Sequence, residues 1–110
     1  MEKNFKLKAS EIIDLAKGHG GCIATDRITV DGLLVDYMYR DDTNRPADSG
    51  WRFFSGTEDQ VYIDNPDHST VYDVNTIANY DPAIIPYLDY PTGSHLERLR
   101  GTNKFQIIPG

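Results

Sequence analysis

The segment Gly50-Trp51-Arg52-Phe53-Phe54-Ser55-Gly56 constrains the fold more than any other stretch of the chain. It holds the only tryptophan and two of the four phenylalanines, with a glycine at each end. Aromatic residues favour strands and bring the largest apolar areas that a core can use. Side chains alternate between the faces of a strand, so Trp51 and Phe53 share one face and Arg52 and Phe54 the other. Large apolar groups on both faces predict a central strand covered on both sides. The glycines permit chain reversals that a Cβ would obstruct. Arg52, set between two core aromatics, needs water or a carboxylate. Asp48 or an acid of a neighbouring hairpin is the expected partner, in a structural pair.

The flanking sequence supplies short elements. Ser10 is a good helix cap, and Ile12, Ile13, Leu15 and Ala16 recur at helical spacing before Gly18, which predicts a helix over Ser10 to Lys17. Cys22 to Thr25 reads as a strand. Ile28 to Val30 and Leu33 to Tyr39 are β-rich, and Asp31-Gly32 between them predicts a two-residue hairpin turn. Residues 41–49 form a polar loop with three acids and one arginine. Beyond Gly56 a polar turn precedes Val61-Tyr62-Ile63, and Asn65-Pro66-Asp67 marks another turn. Val71 to Val74 reads as a short strand or a helix entry, Asp73 and Asp81 read as helix caps, and Pro82 suits a first helical turn that Pro86 cuts short. Lys104 to Ile108 forms a last strand. The predicted class is α+β: a small antiparallel sheet with a central Trp-Phe-Phe strand, covered by the N-terminal helix and short helices.

A chain of 110 residues with 39% apolar and 25% charged residues fits one globular domain, taken as residues 1–110. No apolar run approaches the ~18 residues of a membrane span, and the N-terminal residues lack the apolar stretch of a signal peptide. With a single cysteine, Cys22, no internal disulfide can form, and a cytoplasmic location is expected. Charge is uneven: residues 21–90 carry four arginines against thirteen acids, a balance of −9 within a total of −6. Such a body repels nucleic acid and speeds encounter with a basic protein, although acidity also serves solubility.

Signs of catalysis are sparse. His19 and Cys22 have the spacing of half a zinc site, but only His68, His95 and scattered carboxylates could complete it, so no metal is expected. Cys22 could act as a nucleophile with one of the three histidines as base, yet a cysteine opening an apolar strand is usually core. Glu58, Asp59, Asp64 and Asp67 lack the calcium-loop pattern. Phosphate-binding glycine loops, serine elbows and HExxH are missing from the sequence. Seven tyrosines leave room for a few exposed interface anchors.

Four strings then stand together: Ile28-Thr29-Val30-Asp31-Gly32, Tyr37-Met38-Tyr39-Arg40, Asp48-Ser49-Gly50-Trp51-Arg52-Phe53-Phe54-Ser55-Gly56, and Tyr72-Asp73-Val74-Asn75-Thr76-Ile77-Ala78-Asn79-Tyr80-Asp81-Pro82. Over Gly21 to Ile108 the chain resembles the Immunity protein 33 family. The resemblance implies a cytoplasmic antidote in a bacterial polymorphic toxin system, with a cognate protein toxin as partner and no catalytic residues or cofactor. The acidic body suits a basic toxin such as a nuclease. The expected contacts lie in the acidic loops at either side of the central strand: Asp41, Asp42 and Asp48, then Glu58 and Asp59, flanked by Tyr39 and Tyr62. The alternative from another class is a small cytoplasmic enzyme, or a ligand-binding regulatory domain, using Cys22.

Overall fold

Alternation along residues 48–54 builds the centre of the sheet. The computed structural model describes residues 3–109. Its strands are β1 (Gly21–Thr25), β2 (Tyr37–Arg40), β3 (Asp48–Phe54), β4 (Ser69–Asp73), β5 (His95–Arg98) and β6 (Phe105–Ile107). They form a mixed sheet in the order β4-β1-β3-β2-β5-β6, so β3 lies between β1 and β2. The helices are short: α1 (Asp26–Thr29), α2 (Gln60–Asp64) and α3 (Val74–Tyr80), with 3-10 turns at Ala9–Glu11, Pro66–His68 and Pro82–Tyr87. Among the described residues no helix is long and apolar enough to cross a membrane.

The core lies between the sheet and the helices α1 and α3. Trp51 and Phe53 of β3, Met38 of β2 and Leu96 of β5 meet Ile28, Ile77 and Ile84 there, all with no exposed surface. The Trp51 indole N–H donates to the Leu88 carbonyl at 3.0 Å, so the one polar atom of the ring is satisfied inside. Gly50 has φ +88°, and a Cβ there would sit 2.2 Å from the Asp41 carbonyl oxygen. Only glycine fits that close approach of two strand ends.

A second buried feature ties three distant segments together. The Asp81 carboxylate accepts from the Val35 N–H at 2.9 Å and from the Ala83 N–H at 3.1 Å, and it forms an ion pair with Arg98. The Arg98 Nε–H donates to the Val35 carbonyl at 2.9 Å, and its guanidinium lies 4.8 Å from the centre of the Phe105 ring. Asp81 is therefore a helix cap and also the anchor of the segment leading into β2.

Several sequence expectations need correction. The sheet is not wholly antiparallel, because β1 runs parallel to β3. The predicted helix over Ser10 to Lys17 is absent beyond the 3-10 turn. Eight residues give a marginal helix, and here side chains of α3 take over the backbone bonds. The Asn75 side-chain oxygen accepts from the N–H groups of Leu15 and Ala16, each at 2.8 Å. That of Asn79 accepts from Ile13 N–H at 3.0 Å. The segment is an irregular strap, with Ile13 and Leu15 exposed. The hairpin around Asp31-Gly32 is also absent. Residues 26–29 form α1, and Gly32 at φ +78° ends it, donating its N–H to the Ile28 carbonyl at 3.1 Å. Positive φ serves a helix terminus as well as a hairpin turn, so the same dipeptide fits both. Finally, the sheet is covered on one face rather than two.

Candidate binding face

The other face of the sheet carries none of the core side chains. Strand alternation puts Arg52 and Phe54, Tyr37 and Tyr39, Ile23 and His95 on it, opposite the core set. Cross-strand pairing aligns Val71, Ile23, Arg52, Tyr39 and His95 in one row across β4, β1, β3, β2 and β5. Beside it, Tyr37 pairs with Phe54 on one flank and Glu97 on the other. Except for Val71 and Glu97, which are exposed, these residues are half-buried.

Four rings dominate the face. Tyr39 stacks on Phe54 at 5.9 Å between centroids and on His95 at 5.4 Å, with interplanar angles of 11° and 14°. Tyr37 lies against all three. Its hydroxyl hydrogen-bonds His95 Nδ1 at 2.7 Å, and partial burial, followed by the neighbouring Tyr39, pushes the Tyr37 phenol up. At one end of this cluster Tyr39, His95 and Thr92 line a hollow of about 510 Å³ together with Asp41 and Asp42. Next to it Ile23, Val71, Ala47 and the Asp48–Arg52 pair line another of about 530 Å³. At the far end Phe54 and Tyr37 meet Glu58 and Ile63.

The expected contact residues fall into different roles. Asp41 and Asp42 are exposed, and Asp41 Oδ1 accepts only from the Asp42 N–H among the described residues. Asp48 is bound by Arg52 through two N–H donors at 3.0 and 2.9 Å, and this hydrogen bonding holds its carboxyl below the usual range. The Arg52–Asp48 pair is thus structural. Glu58 accepts from the Thr25 hydroxyl and from the N–H groups of Ser55 and Gly56, both at 2.9 Å. Burial raises its pKa, and those hydrogen bonds outweigh the burial and hold it low. Asp59 is exposed and caps α2 by accepting from Tyr62 N–H at 2.8 Å. Tyr39 belongs to the ring cluster. Tyr62 does not: it stacks on His68 at 4.1 Å and under the Arg27 guanidinium at 4.6 Å. Asp41, Asp42 and Tyr39 are therefore brought together, and Tyr62 stands apart.

Cys22 has 1% of its surface exposed and points into the core. Burial, reinforced by Asp73, pushes its thiol up to about 12. A thiol held neutral is a poor nucleophile. The three histidines contact other groups: His95 the Tyr37 hydroxyl, His68 the Tyr62 carbonyl, and His19 the Asp89 carboxylate at 4.0 Å. Among the described residues no three His, Cys, Asp or Glu side chains form a metal-binding group.

Sequence reasoning missed β5 and hence the place of His95, because His-Leu-Glu-Arg carries a single apolar residue. The two-residue spacing of Tyr37 with Tyr39, and of Arg52 with Phe54, was the signal available for the open face.

The chain is thus a small mixed α/β protein whose one sheet buries one face under short helices and leaves the other open, aromatic and bordered by carboxylates. The sequence model of the immunity protein Imm33 domain matches residues 22–108. The chain belongs to that family, and membership places it among proteins that neutralise a toxin. No curated protein and no solved structure matches the chain with significance.

Proposed function

We propose that this protein neutralises a cognate toxin of a bacterial polymorphic toxin system by binding it and occluding its working surface, in the cytoplasm and without turnover. The family match over residues 22–108 carries this reading, since it spans nearly the whole sheet. The −9 balance of residues 21–90 supports a basic partner, such as a nuclease. The exposed carboxylates of Asp41, Asp42 and Asp59 and the ring of Tyr39 are its proposed contacts. Glu58 and Asp48, committed to internal bonds, add to the field around them.

The test is co-expression with the toxin encoded beside this chain, followed by purification of the pair. Growth protection with a stoichiometric complex is expected, and association that slows as salt rises, because screening shortens to ~8 Å near physiological ionic strength. Protection with no physical complex would refute occlusion and favour chemistry on the toxin or its product.

A further inference from the structure

We infer that the toxin docks on the open sheet face, with a lysine or arginine side chain seated in the hollow between Tyr39, His95, Asp41 and Asp42. This rests on the occlusion proposed above and adds the surface and the chemistry of the group it takes.

Three observations converge on this place. First, a sheet face carrying Ile23, Tyr37, Tyr39 and Phe54 is unusual as a solvent-facing surface, since strands with one wet face normally alternate apolar-in with polar-out. Its rings are held in place by mutual stacking and by the Tyr37–His95 hydrogen bond, so little side-chain freedom is lost when a partner arrives. Tyrosines fixed in this manner are the residue type that anchors interfaces.

Second, the free charge exposed around the face is mainly acidic, with Arg45 beside the neighbouring hollow as the exception. Asp41, Asp42, Asp59 and Glu97 are exposed at its margins, and none makes a salt bridge among the described residues. The one arginine in the row, Arg52, is already paired with Asp48. A second copy of this chain would bring acid against acid, and nucleic acid would be repelled. A basic protein surface is the complement.

Third, the hollow has the chemistry of a cation site. Tyr39 and His95 offer aromatic walls, the two carboxylates offer charge, and about 510 Å³ accommodates a long basic side chain; Arg40 also lines the hollow, but its guanidinium is turned to the Ser49 and Tyr90 carbonyls and the Trp51 ring. The adjoining hollow, walled by Ile23, Val71 and Ala47, would take an apolar neighbour of that side chain.

The experiment measures binding kinetics of the purified adjacent toxin with four forms of this protein. They are the wild type, Asp41→Lys/Asp42→Lys/Glu97→Lys, Tyr39→Ala, and a control, Asp31→Lys/Asp89→Lys, in the connections of the helical layer. Circular dichroism melts check that each is folded. The three altered acids are exposed, so that variant stays informative even where Tyr39→Ala does not fold. We expect the face reversal to slow association at least about tenfold at low salt, and the control less than about threefold. Tyr39→Ala should speed dissociation at least about tenfold. A wild-type complex whose kinetics the face variants leave unchanged refutes the docking face and leaves occlusion standing. A folded wild type that protects cells but forms no complex refutes both.

Discussion

Removing the charge of Asp81 should expose how much of this fold depends on one buried ion pair. Asp81 and Arg98 have side chains only 4% and 8% exposed. In Asp81→Asn the acceptor towards Val35 N–H can persist, but the Arg98 guanidinium loses its counter-charge inside the protein. Removing one partner of such a pair typically costs 3–5 kcal/mol, because the remaining charge is left uncompensated. We expect about 4 kcal/mol, a large share of the ~5–15 kcal/mol that stabilises a domain. In urea, with a slope of about 1–3 kcal/mol per molar, the midpoint should fall by roughly 1–4 M. The control is Arg98→Met, singly and combined with Asp81→Asn. If the penalty comes from an orphaned charge, the double variant should be at least about 2 kcal/mol more stable than the sum of the single effects. A loss below about 1 kcal/mol for Asp81→Asn, or additive single effects, would refute the mechanism.

Trp51→Ala removes a fully buried ring and the bond to Leu88, and should cost about 3–5 kcal/mol in denaturant melts. Asp48 is held below its usual range by Arg52, so it adds stability above about pH 4 that is lost as pH falls through its lowered folded value. Thermal melts should show Asp48→Asn less stable than wild type by about 1 kcal/mol or less at neutral pH, the pair being partly screened, with the gap closing in acid. Cys22 has the opposite sign: its thiol is raised to about 12, so the unfolded chain ionises first as pH rises. Relative to Cys22→Ala, wild type should lose about 1.4 kcal/mol per pH unit from about pH 9 until the folded thiol itself ionises. Native Cys22 should also react with a disulfide reagent only as fast as the protein opens.

What was legible in the sequence follows from which signals are local. Trp51, Arg52, Phe53 and Phe54 announced a strand because alternation and aromatic content act over a few residues, and Asp48 was the nearest carboxylate to Arg52. The caps at Asp73 and Asp81 were equally local, accepting from the N–H groups two residues ahead. The errors came where a distant segment decided. Asn75 and Asn79 pull residues 13–16 into a strap, and nothing near Ile13 reports that α3 will be there. Gly32 supplies positive φ without saying whether a helix or a hairpin will use it. The candidate face was half legible: the spacing of Tyr37 and Tyr39 was visible, whereas their meeting with Phe54 and His95 depends on strand order. Tyr62 lies beside an acidic loop in sequence, yet α2 turns its ring to His68 and Arg27.

The pleat of β3 has an evolutionary consequence. Residues 51 and 53 answer to the core, whereas residue 54 points to the open face and residue 52 to its pair with Asp48 there. The same holds on β2, where Met38 faces inward and Tyr37 and Tyr39 outward. A substitution at an outward position alters the neighbouring rings of the open face but leaves the packing of the inward side chains in place. If the toxin docks there as inferred above, positions 23, 37, 39, 54 and 95 can change together as the partner changes, while the inward positions stay under a different constraint.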